Sequence, residues 1–171
     1  TSAGMYVRDE ILKILPKSPE QTRLAYINTA FIYEAPDNPD INEDRAKLVE
    51  EGFQIQDIDI QGKSEDELRN ILKDFDIIFV EGGNTFYLLK YVKESRFDII
   101  LKELLDRGVI YIGVSAGSII AGPTIETAGW YYTAMGGADE NKVGLEDLTA
   151  LNLVPFNMYV HYLPEDAEEV K

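Results

Sequence analysis

One serine, one histidine and one pair of glycines stand out as groups that could do chemistry together. The serine is Ser115, in the frame Gly113-Val114-Ser115-Ala116-Gly117. It follows an apolar run, residues 109–114, that reads as a strand, and it precedes residues 117–121, which read as a short apolar helix. G-x-S-x-G at a strand-to-helix junction is the frame of a nucleophile elbow. The reason is steric: small neighbours let the turn close, and the turn lifts Oγ out of the sheet. The Ala116 N–H and the helix N-terminus then face whatever Oγ attacks, where negative charge is favoured. The plain alternative is a strand-to-helix turn that merely happens to be built from small residues.

The glycine pair lies in Glu81-Gly82-Gly83-Asn84-Thr85-Phe86, directly after a second apolar strand, residues 76–80. Two glycines before an Asn or Thr helix cap expose backbone N–H groups toward the strand ends. In a parallel sheet this loop sits beside the elbow, and the Gly83 N–H becomes the second donor of an oxyanion hole. No G-K-[ST] follows, and no G-x-G-x-x-G is present here, which removes a P-loop and disfavours a nucleotide-binding module. A serine hydroxyl is a weak nucleophile without a base. His161 is the only His in the chain, so it is the candidate base. Against that stands the ordinary role of a lone His as a structural or surface residue. A third, acidic group should orient the imidazole. Glu126, Asp139, Glu140, Glu146 and Asp147 lie between Ser115 and His161, and residue types alone leave all five open.

The elements that must position these groups alternate. Helices are expected over residues 7–15, 45–52, 64–75, 85–93 and 97–107, and strands over 23–30, 53–60, 76–80, 109–114 and 153–160. Ser64 with Glu67 three residues later makes a capping box for the third helix. Residues 35–44 read as a loop with two prolines, and 126–150 as irregular or hairpin-like. The acidic run 37–44 lacks calcium-loop spacing and its glycine, so it reads as a solvated loop. Strands alternating with helices imply an α/β three-layer sandwich around a mostly parallel sheet. Strands without a polar face belong at its centre. The site then lies beyond the carboxyl ends of those strands, just after Val80 and Val114.

Composition sets the outer limits. The 171 residues suit one domain. At 45% apolar and 11% aromatic, the chain is not a disordered one. With 16 Lys+Arg against 31 Asp+Glu the formal net charge is −15, which argues against nucleic acid and anionic membranes as partners. No apolar run reaches the roughly 18 residues of a membrane span, and no signal-peptide pattern is present. The absence of Cys excludes disulfides, thiolate metal sites, iron–sulfur clusters and a Cys nucleophile. One His cannot build a multi-His metal site either. No metal or cofactor is expected, and the cytoplasm is the expected location.

Taken together, Glu81-Gly82-Gly83-Asn84-Thr85-Phe86-Tyr87-Leu88-Leu89, Gly113-Val114-Ser115-Ala116-Gly117-Ser118, and Leu151-Asn152-Leu153-Val154-Pro155-Phe156 leading to His161-Tyr162 resemble the dipeptidase E (α-aspartyl dipeptidase) family. Cyanophycinase is a more distant member. The resemblance covers roughly residues 22–162. It implies a flavodoxin-like fold related to class I glutamine amidotransferases, with Ser in place of Cys at the elbow. It implies a serine peptidase acting on small peptides, with Ser115 as nucleophile, His161 as base, and the Gly83 and Ala116 N–H groups as oxyanion hole. Counting back from Leu151-Asn152-Leu153 places the acid at Asp139, with Glu126 and Glu140 as alternatives. A preference for an N-terminal Asp also comes from the resemblance alone, and it would need a local cation. Family members are often dimeric, which leaves a homodimer open. The family pattern has a strand before a Thr-Ser-x-Gly segment and further elements after the His. The chain is therefore expected to be a single peptidase E-like domain over 1–171, lacking its first strand and C-terminal segment. Two other functions fit the same residues: an esterase or other acyl hydrolase, and a non-catalytic amidotransferase-like binding module.

Overall fold

A computed structural model describes residues 8–34 and 39–168 of the chain. The Thr1-Ser2-Ala3-Gly4 segment, residues 35–38 and the last three residues lie outside the described residues. The helices are α1 (Arg8–Ile14), α2 (Thr29–Glu34), α3 (Pro39–Glu50), α4 (Glu65–Leu72), α5 (Thr85–Glu94), α6 (Phe97–Asp106) and α7 (Ala116–Ile119). The strands are β1 (Arg23–Ile27), β2 (Gln54–Ile58), β3 (Ile77–Val80) and β4 (Ile110–Gly113). They form one parallel sheet in the order β2-β1-β3-β4. That is the winding of a flavodoxin-like sheet.

Side-chain alternation along the strands explains the three layers. Ala25, Ile27, Ile78 and Val80 turn to one face and pack with Leu68 and Leu72 of α4, Leu88 of α5 and Leu101 of α6. Leu24, Tyr26, Ile77 and Phe79 turn to the other face and pack with Ile11 of α1 and Leu48 of α3. β3 is buried along its whole length, as a strand with no polar face must be. Each such fully buried aliphatic side chain contributes roughly 1.5–3 kcal/mol. The register places Ile27 opposite Val80 and Val80 opposite Gly113. The carboxyl ends of three strands are therefore level, and the loops that leave them emerge side by side.

Ser64 caps α4 as expected: its hydroxyl accepts the Glu67 N–H, and the Glu67 carboxylate accepts the Ser64 N–H at 2.8 Å. Three expectations change. β1 stops at Ile27, because the Asn28 carbonyl accepts the N–H groups of Phe31 and Ile32 and starts α2. Residues 39–44 are not loop: α3 begins at Pro39, where a missing N–H costs a helix nothing, and Asp44 is buried. Residues 153–160 form no strand. The N–H groups of Leu151, Asn152 and Leu153 bond the carbonyls of Ile120, Gly122 and Ala121, where α7 leaves acceptors unfilled. Asn152 has φ +51, and Pro155 has no N–H, so a ladder could not continue through them. The stretch 126–150 is irregular, with a 3₁₀ turn at Glu126–Gly129 and single antiparallel bridges Thr124–Thr149 and Tyr132–Gly137. No helix among the described residues is long and apolar enough to cross a membrane.

Candidate active site

The elbow is built by close backbone approach. A Cβ on Gly117 would lie 2.2 Å from the Val80 carbonyl oxygen, and one on Gly113 would lie 2.4 Å from the Gly117 carbonyl oxygen. Neither position can hold a side chain unless the strand-to-helix turn opens. The Val114 N–H bonds the Val80 carbonyl at 3.0 Å, and the Ser118 hydroxyl bonds the Gly113 carbonyl at 2.7 Å. Held on both sides, Ser115 adopts φ +48, ψ −112. A non-glycine residue there stores about 1–3 kcal/mol of strain, which the surrounding bonds must hold. It sits at the junction between β4 and α7.

The Glu81–Thr85 loop lies against it. A Cβ on Gly82 would begin 3.2 Å from the Ser115 Cβ. Gly83 has φ +115 and rests on the Ala30 backbone, 2.7 Å from where a Cβ would be, so only glycine fits. Asn84 is the α5 cap, with its side-chain oxygen accepting the Tyr87 N–H at 3.0 Å. No described residue accepts the N–H of Gly83 or of Ala116. Ala116 is the first residue of α7, where an amide has no intrahelical acceptor. One amide of the elbow and one of the glycine loop packed against it thus have no acceptor among the described residues.

His161 Nε2 lies 2.9 Å from Ser115 Oγ. With the ring proton on Nδ1, Nε2 can accept the serine proton. His161 takes φ +55, in a segment with neither helix nor strand. Desolvation pushes its pKa below the ordinary imidazole value, and the Asp139 carboxylate pulls it part of the way back. The net lowering favours the neutral imidazole, the form a base requires. The edge of Tyr132 meets the ring at 6.5 Å between centroids. The Tyr132 hydroxyl is fixed on the Thr127 carbonyl at 2.6 Å.

Asp139 is near enough for its charge to act on His161, but no hydrogen bond among the described residues joins them. Its Oδ2 instead accepts the Thr85 N–H at 2.8 Å, in the first turn of α5. Asn84 Nδ2 donates to the neighbouring Glu140 carbonyl at 3.0 Å. The glycine loop thus also tethers the acidic segment. Glu126 is exposed, and the Glu140 side chain pairs with Lys142. Neither is among the charges that act on His161. Glu146 is exposed, and Asp147 pairs with Lys93.

Sequence reasoning missed the tethering by Asn84 and Thr85, the Tyr132 edge, and Asp166. The Asp166 carboxylate accepts the N–H groups of Leu163 at 2.8 Å and Thr133 at 3.0 Å. It clasps the segment two residues past His161 to the 126–150 region. Its signal was present: Pro164 opens the 3₁₀ turn Pro164–Glu168, and an acid two residues later reaches back to the capping N–H. Among the described residues no cluster of His, Asp and Glu could hold a metal ion.

The chain resembles known proteins along its length. It is 36% identical over 111 residues to an uncharacterized peptidase of Listeria monocytogenes, an alignment covering 65% of this chain and 52% of that protein. It is 36% identical over 117 residues to the "Probable alpha-aspartyl dipeptidase" of Drosophila melanogaster, covering 68% of this chain and 43% of that one. The chain thus spans about half the length of the curated relatives it matches. A crystal structure of a peptidase E candidate from Listeria monocytogenes superposes with a TM-score of 0.76 at 29% identity, over 92% of this chain and 74% of that one. The family model for peptidase family S51 matches residues 2–171. The chain belongs to peptidase family S51.

Proposed function

We propose that the protein is a serine peptidase that cleaves small peptides through Ser115 and His161. His161 Nε2 takes the hydroxyl proton as Ser115 Oγ attacks the scissile carbonyl carbon. The carbonyl oxygen becomes an oxyanion and is met by the Gly83 and Ala116 N–H groups. His161 then gives the proton to the leaving amine, and water releases the acyl-enzyme by the same steps. Asp139 supplies negative charge that stabilises the imidazolium formed in between. The observation that carries this reading is the 2.9 Å contact between the strained serine and the lone His. Family membership supports a peptide substrate over an ester. A relative named as an alpha-aspartyl dipeptidase supports an N-terminal Asp as the preferred residue. With no cysteine in the chain, the cytoplasm is the proposed setting.

Two measurements test the proposal. Wild type should label with a fluorophosphonate and Ser115→Ala should not; labelling that survives the substitution refutes the nucleophile. A panel of Asp-X dipeptides should be hydrolysed faster than p-nitrophenyl esters. The opposite ranking would make the protein an acyl hydrolase of another kind.

A further inference from the structure

A buried carboxylate is costly unless its oxygens are satisfied, and one that takes no part in the reaction needs a reason to be there. Glu81 is such a group, 3% exposed at the carboxyl end of β3. Both of its oxygens are used. Oε1 accepts the N–H of the next residue, Gly82, at 2.8 Å. Oε2 accepts the hydroxyl of Tyr26, which lies on the neighbouring strand β1 and is 1% exposed. The Tyr26 ring stacks on Phe79 at 5.1 Å, within 11° of parallel, so the hydroxyl is held from behind. The Glu81 N–H is bonded to the Ile27 carbonyl at 3.0 Å, which fixes the root of the side chain.

What this grips is the most pliable dipeptide in the site. Gly82-Gly83 has no side chains to hold it and a wide range of backbone states. The Ala30 backbone confines Gly83 from one side. The Gly82 amide is confined by the Glu81 carboxylate. A neutral carbonyl could accept that N–H at lower cost, because desolvation and the nearby Asp44 charge both disfavour an ionised Glu81. The hydrogen bonds from Tyr26 and Gly82 pull the other way, so the carboxyl group and its two partners hold one another in place.

We propose that Glu81 and Tyr26 are positioning residues for the oxyanion hole: the Tyr26–Glu81–Gly82 chain locks the glycine turn so that the Gly83 N–H stays beside Ser115. The inference rests on the reading of Gly83 as an oxyanion donor. It adds two residues that touch neither substrate nor the reacting atoms.

The test compares Glu81→Ala, Glu81→Gln and Tyr26→Phe with wild type, using Ser115→Ala as the control. Two readouts are taken: kcat and KM on the best dipeptide, and NMR amide exchange at Gly82 and Gly83. Glu81→Ala should lose about 10²-fold in kcat with KM changed by less than about twofold, the pattern of a lost oxyanion donor. Glu81→Gln should recover to within about fivefold of wild type, since its carbonyl accepts the Gly82 N–H and its amide donates to Tyr26 Oη. Tyr26→Phe should fall between the two. Gly82 exchange should quicken in Glu81→Ala and slow again in Glu81→Gln. A folded Glu81→Ala with kcat within about threefold of wild type overturns the proposal, as does a Gln variant no better than Ala. Should Glu81→Ala not fold, a Tyr26→Phe protein with unchanged kcat does the same. An unprotected Gly82 amide in wild type also overturns it. If Ser115→Ala leaves hydrolysis intact, the serine mechanism fails separately, and the exchange data still decide whether the grip exists.

Discussion

The two halves of the site are held by different physics. The Ser115 half, β4 into α7, is fixed by backbone against backbone: Gly117 over the Val80 carbonyl, Gly113 against Gly117. The His161 half, residues 152–166, has no strand and only a terminal 3₁₀ turn. Backbone bonds to Ala121 and Gly122 hold only its first residues, Asn152 to Val154, and beyond them it is tied down by single side chains reaching across the chain. Thr127 Oγ1 donates to the Met158 carbonyl at 2.7 Å, and Asn157 Oδ1 accepts the Thr124 N–H at 3.0 Å. Asp166 closes the far end on Leu163 and Thr133. Steric closure tolerates no substitution and leaves no slack. Side-chain tethers can be lost one at a time, and each loss loosens the segment without unmaking it.

The largest effect should come where both halves meet. Ser115→Ala and His161→Ala should each lower kcat by roughly 10⁴-fold or more. The double variant should be little worse than either single, because the proton transfer needs both. Multiplied losses would mean the two residues act independently, and the 2.9 Å contact would then have no catalytic meaning.

The next effects separate the halves. Gly117→Ala should cost at least about 3 kcal/mol of stability, since a rigid carbonyl occupies the place of the new methyl. Chemical denaturation measures this, and a folded variant with wild-type stability would show that the elbow can yield. Asp166→Asn should act in the opposite way. An amide oxygen cannot accept as the two carboxylate oxygens do, so the His161 segment loosens. kcat should fall by up to about 10²-fold, the cost of misplacing a reacting group by an ångström, while the melting temperature changes little. Steady-state kinetics beside a thermal melt distinguish the two outcomes, and a large melting shift with unchanged kcat would reverse the comparison.

This contrast also explains what could be read from sequence. The elbow and the glycine turn are local: small residues at fixed offsets after apolar strands, closing for steric reasons that residue types carry. The sheet was legible for the same reason, since IIFV can only be a buried strand. The His161 segment was misread as a strand because Leu153 and Val154 look apolar and extended. Nothing local reveals that α7 would offer its carbonyls to them instead. Residue types left five acids open and only the resemblance pointed to Asp139; its place beside α5 is set by contacts at Thr85 and Ala128 that no local pattern reveals. Asp44 shows the same limit: an acidic run suggests solvent, and only the packing of α3 shows it buried.

The smallest predicted effect is the one that tests the acid. In a triad whose carboxylate bonds the imidazole, converting it to the amide fixes the wrong tautomer and costs about 10⁴-fold. Asp139 makes no such bond to His161 among the described residues, and its Oδ2 accepts the Thr85 N–H. What remains is its charge, so Asp139→Asn should lower kcat by only about tenfold. The pH profile carries the sharper signature. kcat/KM should rise as His161 loses its proton, with a midpoint below the ordinary imidazole value, because desolvation outweighs the carboxylate. The Asp139 charge raises that pKa. Removing it must therefore move the midpoint further down, so the variant loses rate on the plateau yet keeps its base unprotonated to lower pH. Glu140→Gln should leave both rate and midpoint unchanged, its carboxylate being spent on Lys142. A midpoint that rises in Asp139→Asn, or that shifts in Glu140→Gln instead, would move the acid to another residue. A loss near 10⁴-fold would mean that the carboxylate swings from Thr85 to the imidazole during turnover, and that the tether at the start of α5 is a resting position.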